Sequence, residues 1–208
     1  MTEITSGWRS ILSQPLVYEA VQYLVGARRA NAALVRDIIR PAPGDRVLDI
    51  GCGPAEILRA LPAVDYVGVD QSEAYIRRAE KTFAGKGRFY CDSLENLAAL
   101  DLGRFDIALS IGVLHHVDDA QAEKMFRLAA GLLQPGGRLY TADPCFHSRQ
   151  NFLTRFIIRN DRGRNVREPD AYCRLAATGF RLVENRLMEG LFPFPHSVCL
   201  LEARDPRI

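Results

Sequence analysis

Apolar residues fall along the chain in two alternating rhythms. Short runs dominated by apolar side chains, at Val47–Ile50, Tyr66–Asp70, Arg88–Cys91, Phe105–Ser110 and Arg138–Ala142, read as strands of a buried sheet. Around and between them, apolar residues recur at helical spacing over residues 28–39 (Leu34, Val35, Ile38, Ile39), 72–83 and 119–133, with a shorter helix expected after Ser93. An earlier helix is expected from Pro15 to Leu24, with the proline in its first turn. Ser72 and Asp119 stand where N-caps belong. Pro41-Ala42-Pro43-Gly44-Asp45 breaks the second helix, and Pro135-Gly136-Gly137 turns the chain into the fifth strand. Phe180–Arg186 and Ser197–Ala203 close the chain as two more strands, expected as a hairpin at the sheet edge. Strand and helix in alternation predict an α/β fold, a doubly wound sheet with helices on both faces.

The sharpest feature is Val47-Leu48-Asp49-Ile50-Gly51-Cys52-Gly53-Pro54-Ala55. A glycine pair at a strand end lets the backbone turn tightly and approach a ligand, because no Cβ intervenes. With a short helix starting near Ala55, the arrangement is that of a nucleotide-type cofactor site at a strand's carboxyl end. The dinucleotide fingerprint G-x-G-x-x-G would need a third glycine where this chain has Glu56, a residue that obstructs close packing and repels a pyrophosphate. Asp49, two residues before the first glycine, suits a cationic ligand better than a phosphate. Asp70 ends the second strand at the spacing of about 20 residues at which an acid meets a ribose, and its carboxylate can accept from both hydroxyls. Gln71 would lie beside the same ribose. Asp92, past the third strand, can accept from an adenine amino group, and the backbone of Ser93 or Leu94 can pair with a ring nitrogen.

The glycine string resembles motif I of the class I S-adenosylmethionine (SAM) methyltransferases, L-D-x-G-x-G-x-G, with Ala55 at the last glycine position. Phe105-Asp106-Ile107-Ala108-Leu109-Ser110-Ile111-Gly112-Val113-Leu114-His115-His116 is similar to the strand-four motif of small-molecule methyltransferases, which ends in H-H. Leu132-Leu133-Gln134-Pro135-Gly136-Gly137-Arg138-Leu139 is similar to the L-L-K-P-G-G-x-L motif that follows it. The motifs occur in family order over residues 46–143. The resemblance implies a Rossmann-like, seven-stranded, mainly parallel sheet with an antiparallel last strand. It implies SAM as cofactor and S-adenosylhomocysteine as product, with Asp49, Gly51, Cys52, Gly53, Asp70, Gln71, Asp92, Ser93, Leu94, Ser110 and Ile111 as cofactor contacts. The 208 residues are expected to form one domain, with lid helices over residues 1–40 and an acceptor cap over residues 144–179.

Composition narrows the class. The chain is 48% hydrophobic and 25% charged with a net charge of +2, an ordinary globular balance that does not by itself call for nucleic acid or a membrane surface. Its five cysteines are scattered without a C-x-x-C pair, so neither a zinc site nor a disulfide framework is expected. The absence of a long apolar run argues against a membrane span, and a cytoplasmic protein, monomer or homodimer, is the expectation. The N/D-P-P-Y signature of amide- and base-modifying enzymes is replaced by Ser110-Ile111-Gly112. A small-molecule acceptor is therefore expected, methylated on oxygen or nitrogen, anionic or glycan-like. A nicotinamide-type oxidoreductase and a SAM-binding protein without catalysis are the alternatives.

A hydroxyl acceptor needs a proton acceptor, and histidine can supply one. Of the four histidines, His115 and His116 follow the fourth strand and His147 follows the fifth. Resemblance to the phosphoethanolamine methyltransferases implies His116 as general base and Tyr18 as the tyrosine of an N-terminal lid; His147 is a further acid–base candidate. The segment from Pro144 to Thr178 carries Arg149, Arg155, Arg159, Arg162, Arg164 and Arg167, which read either as a solvated face or as a clamp for an anionic acceptor. Phe192-Pro193-Phe194-Pro195-His196 is a stiff apolar loop able to wall a pocket or to edge the last hairpin.

Overall fold

The apolar runs become strands of a single sheet. The computed structural model describes residues 26–93, 96, 102–160 and 163–207. Its strands are β1 (Arg46–Ile50), β2 (Asp65–Asp70), β3 (Arg88–Cys91), β4 (Phe105–Ile111), β5 (Leu133–Pro144), β6 (Phe180–Glu189) and β7 (Ser197–Pro206). They lie in the order β3-β2-β1-β4-β5-β7-β6, with β1 to β5 mutually parallel and β7 antiparallel to both of its neighbours. The chain runs outward from β1 to β3, then crosses back to β4 on the other side of β1. The carboxyl ends of β1 and β4 therefore adjoin at the point of reversal, where an open α/β sheet forms its ligand crevice.

Alternation along each strand feeds two cores. Val47 points into a cluster with Leu34, Tyr66, Phe83 and Tyr140, and Leu48 into one with Phe105, Phe126, Tyr172 and Phe180. The first cluster is closed by α1 (Ala27–Leu34) and α2 (Glu73–Thr82), the second by α3 (Asp119–Leu132) and α5 (Pro169–Ala176). Asp49 follows the parity of Val47 and so faces Tyr66. Of the lid expected over residues 1–40, the described part packs as a core layer, with Ala30, Leu34, Val35 and Ile39 all buried. Tyr18, Leu94 and most of the short helix expected after Ser93 lie outside the described residues.

Local differences from expectation have physical causes. The helix over residues 28–39 divides into α1 and a wider π turn, Val35–Ile39, which ends where Arg40 adopts φ +47°. Ser72 caps α2, its Oγ accepting from the Tyr75 N–H, as expected. The cap of α3 is Asp118 rather than Asp119: its carboxylate accepts from the Gln121 N–H at 2.9 Å. Pro135-Gly136-Gly137 does not precede the fifth strand but bulges within it. Leu133 pairs with Phe105 and Arg138 with Ile107, so the β5 chain loops out between the two registers. The final hairpin is longer than expected, and its second strand slots between β5 and the edge strand β6. After β5 the chain forms α4 (Phe152–Arg159), capped by Asn151, whose side chain accepts from the Thr154 N–H at 2.8 Å.

Candidate active site

The loop after β1 is fastened to β2. The Gly51 and Cys52 N–H groups both donate to the Val69 carbonyl, at 2.8 and 3.1 Å. Gly51 holds φ +73°, and a Cβ there would lie 2.5 Å from Val113 Cγ2, so only glycine lets the loop reach the chain after β4. Gly53 holds φ +53° with open space where a Cβ would stand, leaving its backbone bare to a ligand. Ala55 keeps the left-handed backbone of the glycine it replaces, at φ +56°, with its methyl fully buried. A single 3₁₀ turn, Glu56–Arg59, follows instead of a longer helix. Glu56 is turned into ion pairs with Arg59 (2.8 Å) and Arg28 (3.3 Å), away from any phosphate-binding role.

Three acids lie at consecutive strand ends. Asp70 accepts from the Gly53 N–H (2.9 Å, Oδ2) and the Ser72 N–H (2.8 Å, Oδ1), so the residue expected at the ribose also shapes the glycine loop. Asp92 donates its N–H to the Asp70 carbonyl at 3.0 Å, and its Oδ1 accepts from the Ser93 N–H at 2.7 Å. Gln71 is exposed beside them. Asp49 is 2% exposed and accepts from Tyr66 Oη at 2.6 Å. Burial pushes its carboxyl up to about 7; the charge of Asp70 adds to the rise, and the Tyr66 hydrogen bond opposes it. Burial and the Asp49 charge likewise push the Tyr66 hydroxyl far up, so Tyr66 is the donor of the pair. At the end of β4, Ser110 is wholly buried and its Oγ has no hydrogen-bond partner among the described residues, while Ile111 is half-buried.

The chain after β4 forms the opposite wall. A 3₁₀ turn, Leu114–His116, carries both histidines. His115 Nδ1 lies 2.8 Å from Asp143 Oδ1, and the same oxygen accepts from the His115 N–H at 3.3 Å. Both side chains are buried, and Asp143 Oδ2 has no hydrogen-bond partner among the described residues. The His116 ring is tilted against that of His115, with centroids 4.0 Å apart. Gly163 packs so closely on the His115 ring that a Cβ would fall 2.2 Å from Cδ2 and 2.5 Å from the backbone oxygen.

Two further residues singled out by the sequence have defined partners. Arg167, counted in the possible anion clamp, is a brace: its guanidinium donates to the carbonyls of Leu114 (2.7 Å), Val117 (2.8 Å) and Asn165 (2.9 Å) and pairs with Asp119. With its N–H groups engaged by these partners, the guanidinium offers no fork to a ligand. His147 Nε2 lies 3.2 Å from both Ser197 Oγ and Glu189 Oε1, tied to the last hairpin. Phe192, Phe194 and His196 form an aromatic cluster with centroids 5.3–5.5 Å apart. Asp143 is a candidate that the sequence reading does not single out; its signal is an acid immediately after the apolar run Arg138–Ala142.

A glycine loop bound to β2, acids at three neighbouring strand ends and a histidine–carboxylate pair across the crevice make the kind of site in which a Rossmann-like sheet can take a nucleoside cofactor. A methyltransferase-domain family profile matches residues 47–137. Ubiquinone biosynthesis O-methyltransferase of Coxiella burnetii is 37% identical over 103 residues, 47% of this chain and 42% of that protein. The chain thus spans less than half the length of this relative. Among solved structures, the SAM-dependent methyltransferase SibL superposes with a TM-score of 0.70 at 18% identity, over 91% of this chain and 57% of SibL. The mitomycin 7-O-methyltransferase MmcR does so with a TM-score of 0.68 at 18% identity, over 95% of this chain and 60% of MmcR. The likeness to SAM-dependent methyltransferases in sequence covers residues 47–137, and in fold it covers most of the chain. The open backbone at Gly53 and the acids Asp70 and Asp92 suit the family's cofactor. No helix among the described residues is long and apolar enough to cross a membrane.

Proposed function

We propose that this protein methylates an oxygen of a small-molecule acceptor, using SAM. The observation that carries this reading is the buried His115–Asp143 pair, which links the turn after β4 to the end of β5, two residues along from the Val113 that packs on Gly51. Bound SAM supplies a methyl group already activated on a sulfonium. The protein's part is then to position the reactants and to take the acceptor's proton. Asp70 and Asp92 hold the ribose and adenine, with Gln71 and Ser93 alongside; Leu94 is kept as a further candidate from the resemblance. Gly51, Cys52 and Gly53 let the backbone pass close to the cofactor. Asp143 accepts from His115 Nδ1–H and so leaves Nε2 as the proton acceptor, the arrangement a general base requires. His116, expected as the base from the resemblance, stacks on His115 and is kept as the second candidate; Tyr18 and His147 are kept as acceptor-side candidates. The five cysteines, none in a disulfide, suit a reducing compartment, the cytoplasm.

The oxygen preference is supported by the name of the curated relative and by the presence of a positioned base, which a nitrogen acceptor with its own lone pair does not require. The test is calorimetric titration with S-adenosylhomocysteine, followed by an assay of methyl transfer from labelled SAM to phenolic and carboxylated acceptors. Micromolar binding with transfer to a hydroxyl supports the reading. Binding without transfer to any acceptor supports a SAM-binding protein without catalysis instead.

A further inference from the structure

The helix α4 presents its apolar face to solvent. Phe152 is 83% exposed, Leu153 52% and Phe156 56%, and the two phenyl rings stack with centroids 6.3 Å apart. The opposite face is anchored, with Thr154 and Ile158 buried. The helix is therefore held in place with its aromatic side outward, an arrangement water does not favour and one that marks an interaction surface.

Charge says what kind. Residues 145–160 contain Arg149, Arg155 and Arg159 and no acid. All three arginines are exposed, as is Arg164 beyond the helix. Arg155 and Arg159 border the Phe152–Phe156 pair along the helix, and the Arg155 guanidinium lies 5.1 Å from the centre of the Phe146 ring. Phenylalanine and leucine on one face with arginines at its border are the features of a helix that lies in the interface of an anionic lipid surface. A second copy of this chain fits less well, because two such faces would oppose arginine to arginine. The place in the fold agrees: α4 follows the carboxyl end of β5, directly after the strand end that carries Asp143.

We infer that α4 docks this protein peripherally on an anionic membrane surface, inserting Phe152, Leu153 and Phe156 among the headgroups, with the carboxyl edge of the sheet turned toward the lipid. An acceptor with an apolar tail would then reach the site from the bilayer rather than from solution. Docking itself does not depend on the proposed reaction, and its test is read without turnover.

The full chain is mixed with sedimenting vesicles of phosphatidylcholine alone, or of phosphatidylcholine with phosphatidylglycerol. Binding to the anionic vesicles is expected to be about tenfold tighter or more, and to weaken as salt is raised. The double variant Phe152→Ser/Phe156→Ser is expected to lose about tenfold or more in vesicle affinity. Its thermal melt should be unchanged, because both side chains are exposed. Arg149→Gln/Arg159→Gln is expected to reduce the preference for anionic lipid. Equal partition of wild type between the two vesicle types overturns the proposal, as does full binding by the phenylalanine variant. So does analytical ultracentrifugation showing that the phenylalanine variant converts a dimer to a monomer while vesicle binding stays the same; the face would then belong to a second copy.

Discussion

His115 Nδ1 and Asp143 Oδ1 lie 2.8 Å apart, joining the turn after β4 to the end of β5 inside the protein. Only a few residues of each strand separate this contact from the ladder in which Ile111 pairs with Ala142. The sheet register thus sets the position of the pair. Asp143→Asn keeps the volume but weakens control of the imidazole tautomer. Turnover is expected to fall about 10²- to 10⁴-fold, with S-adenosylhomocysteine affinity retained. His115→Ala should match it, and His116→Ala should cost less. Steady-state kinetics with calorimetry on the three variants checks this. The opposite order, with His116→Ala the most damaging, would move the base to His116.

Asp70 holds the glycine loop and is proposed to hold the ribose. Asp70→Ala removes a charged acceptor from the Gly53 and Ser72 N–H groups together with the ribose contact. The loss of cofactor affinity should be about 1.5–3 kcal/mol, roughly 10- to 150-fold in Kd. Calorimetric titration with S-adenosylhomocysteine measures it directly; a near-normal Kd would remove Asp70 from the cofactor site.

Much of this site was legible in one dimension. The glycine turn, Asp70 and Asp92 could be placed because each sits at the end of an apolar run, and the carboxyl ends of a parallel sheet share one edge. The His115–Asp143 pair was not legible. It depends on how β4 meets β5, and the bulge at Pro135-Gly136-Gly137 shifts that register in a way residue counting does not show. The role of Arg167 was hidden for a similar reason, since its partners Leu114 and Val117 lie some fifty positions away and offer only backbone oxygens. The apolar residues of α4 looked like any core-facing helix. Which face is outward depends on the anchor supplied by Thr154 and Ile158, a matter of tertiary packing.

Arg167 is a structural cation, and its replacement separates that role from anion binding. Arg167→Ala strips donors from the Leu114, Val117 and Asn165 carbonyls, each an acceptor that is costly to leave unpaired. A loss of about 2–4 kcal/mol in unfolding free energy is expected, with a matching fall in Tm. Arg167→Lys should recover little, since an ammonium cannot span carbonyls arranged for a planar fork. Chemical denaturation of the two variants tests this. An unchanged stability accompanied by a raised KM for anionic acceptors would restore the clamp.

Asp49 and Tyr66 make a pH-dependent contribution whose sign can be fixed. Burial raises the folded-state carboxyl to about 7, while an unfolded aspartate titrates near 3.9. The folded protein therefore binds a proton that the unfolded chain has released across the intervening range. For a raised pKa, the associated stability is fully present below about pH 4 and is lost as pH climbs through 7. Other carboxylates superimpose their own titrations, so the comparison is with Asp49→Asn, which keeps an oxygen to accept from Tyr66 Oη but does not titrate. The stability of wild type relative to Asp49→Asn should fall by about 2–3 kcal/mol between pH 5 and pH 8. Urea unfolding of both proteins across that interval reads the difference. A flat difference would mean that Asp49 titrates at the same pH folded and unfolded, and its buried hydrogen bond to Tyr66 would then carry no proton linkage.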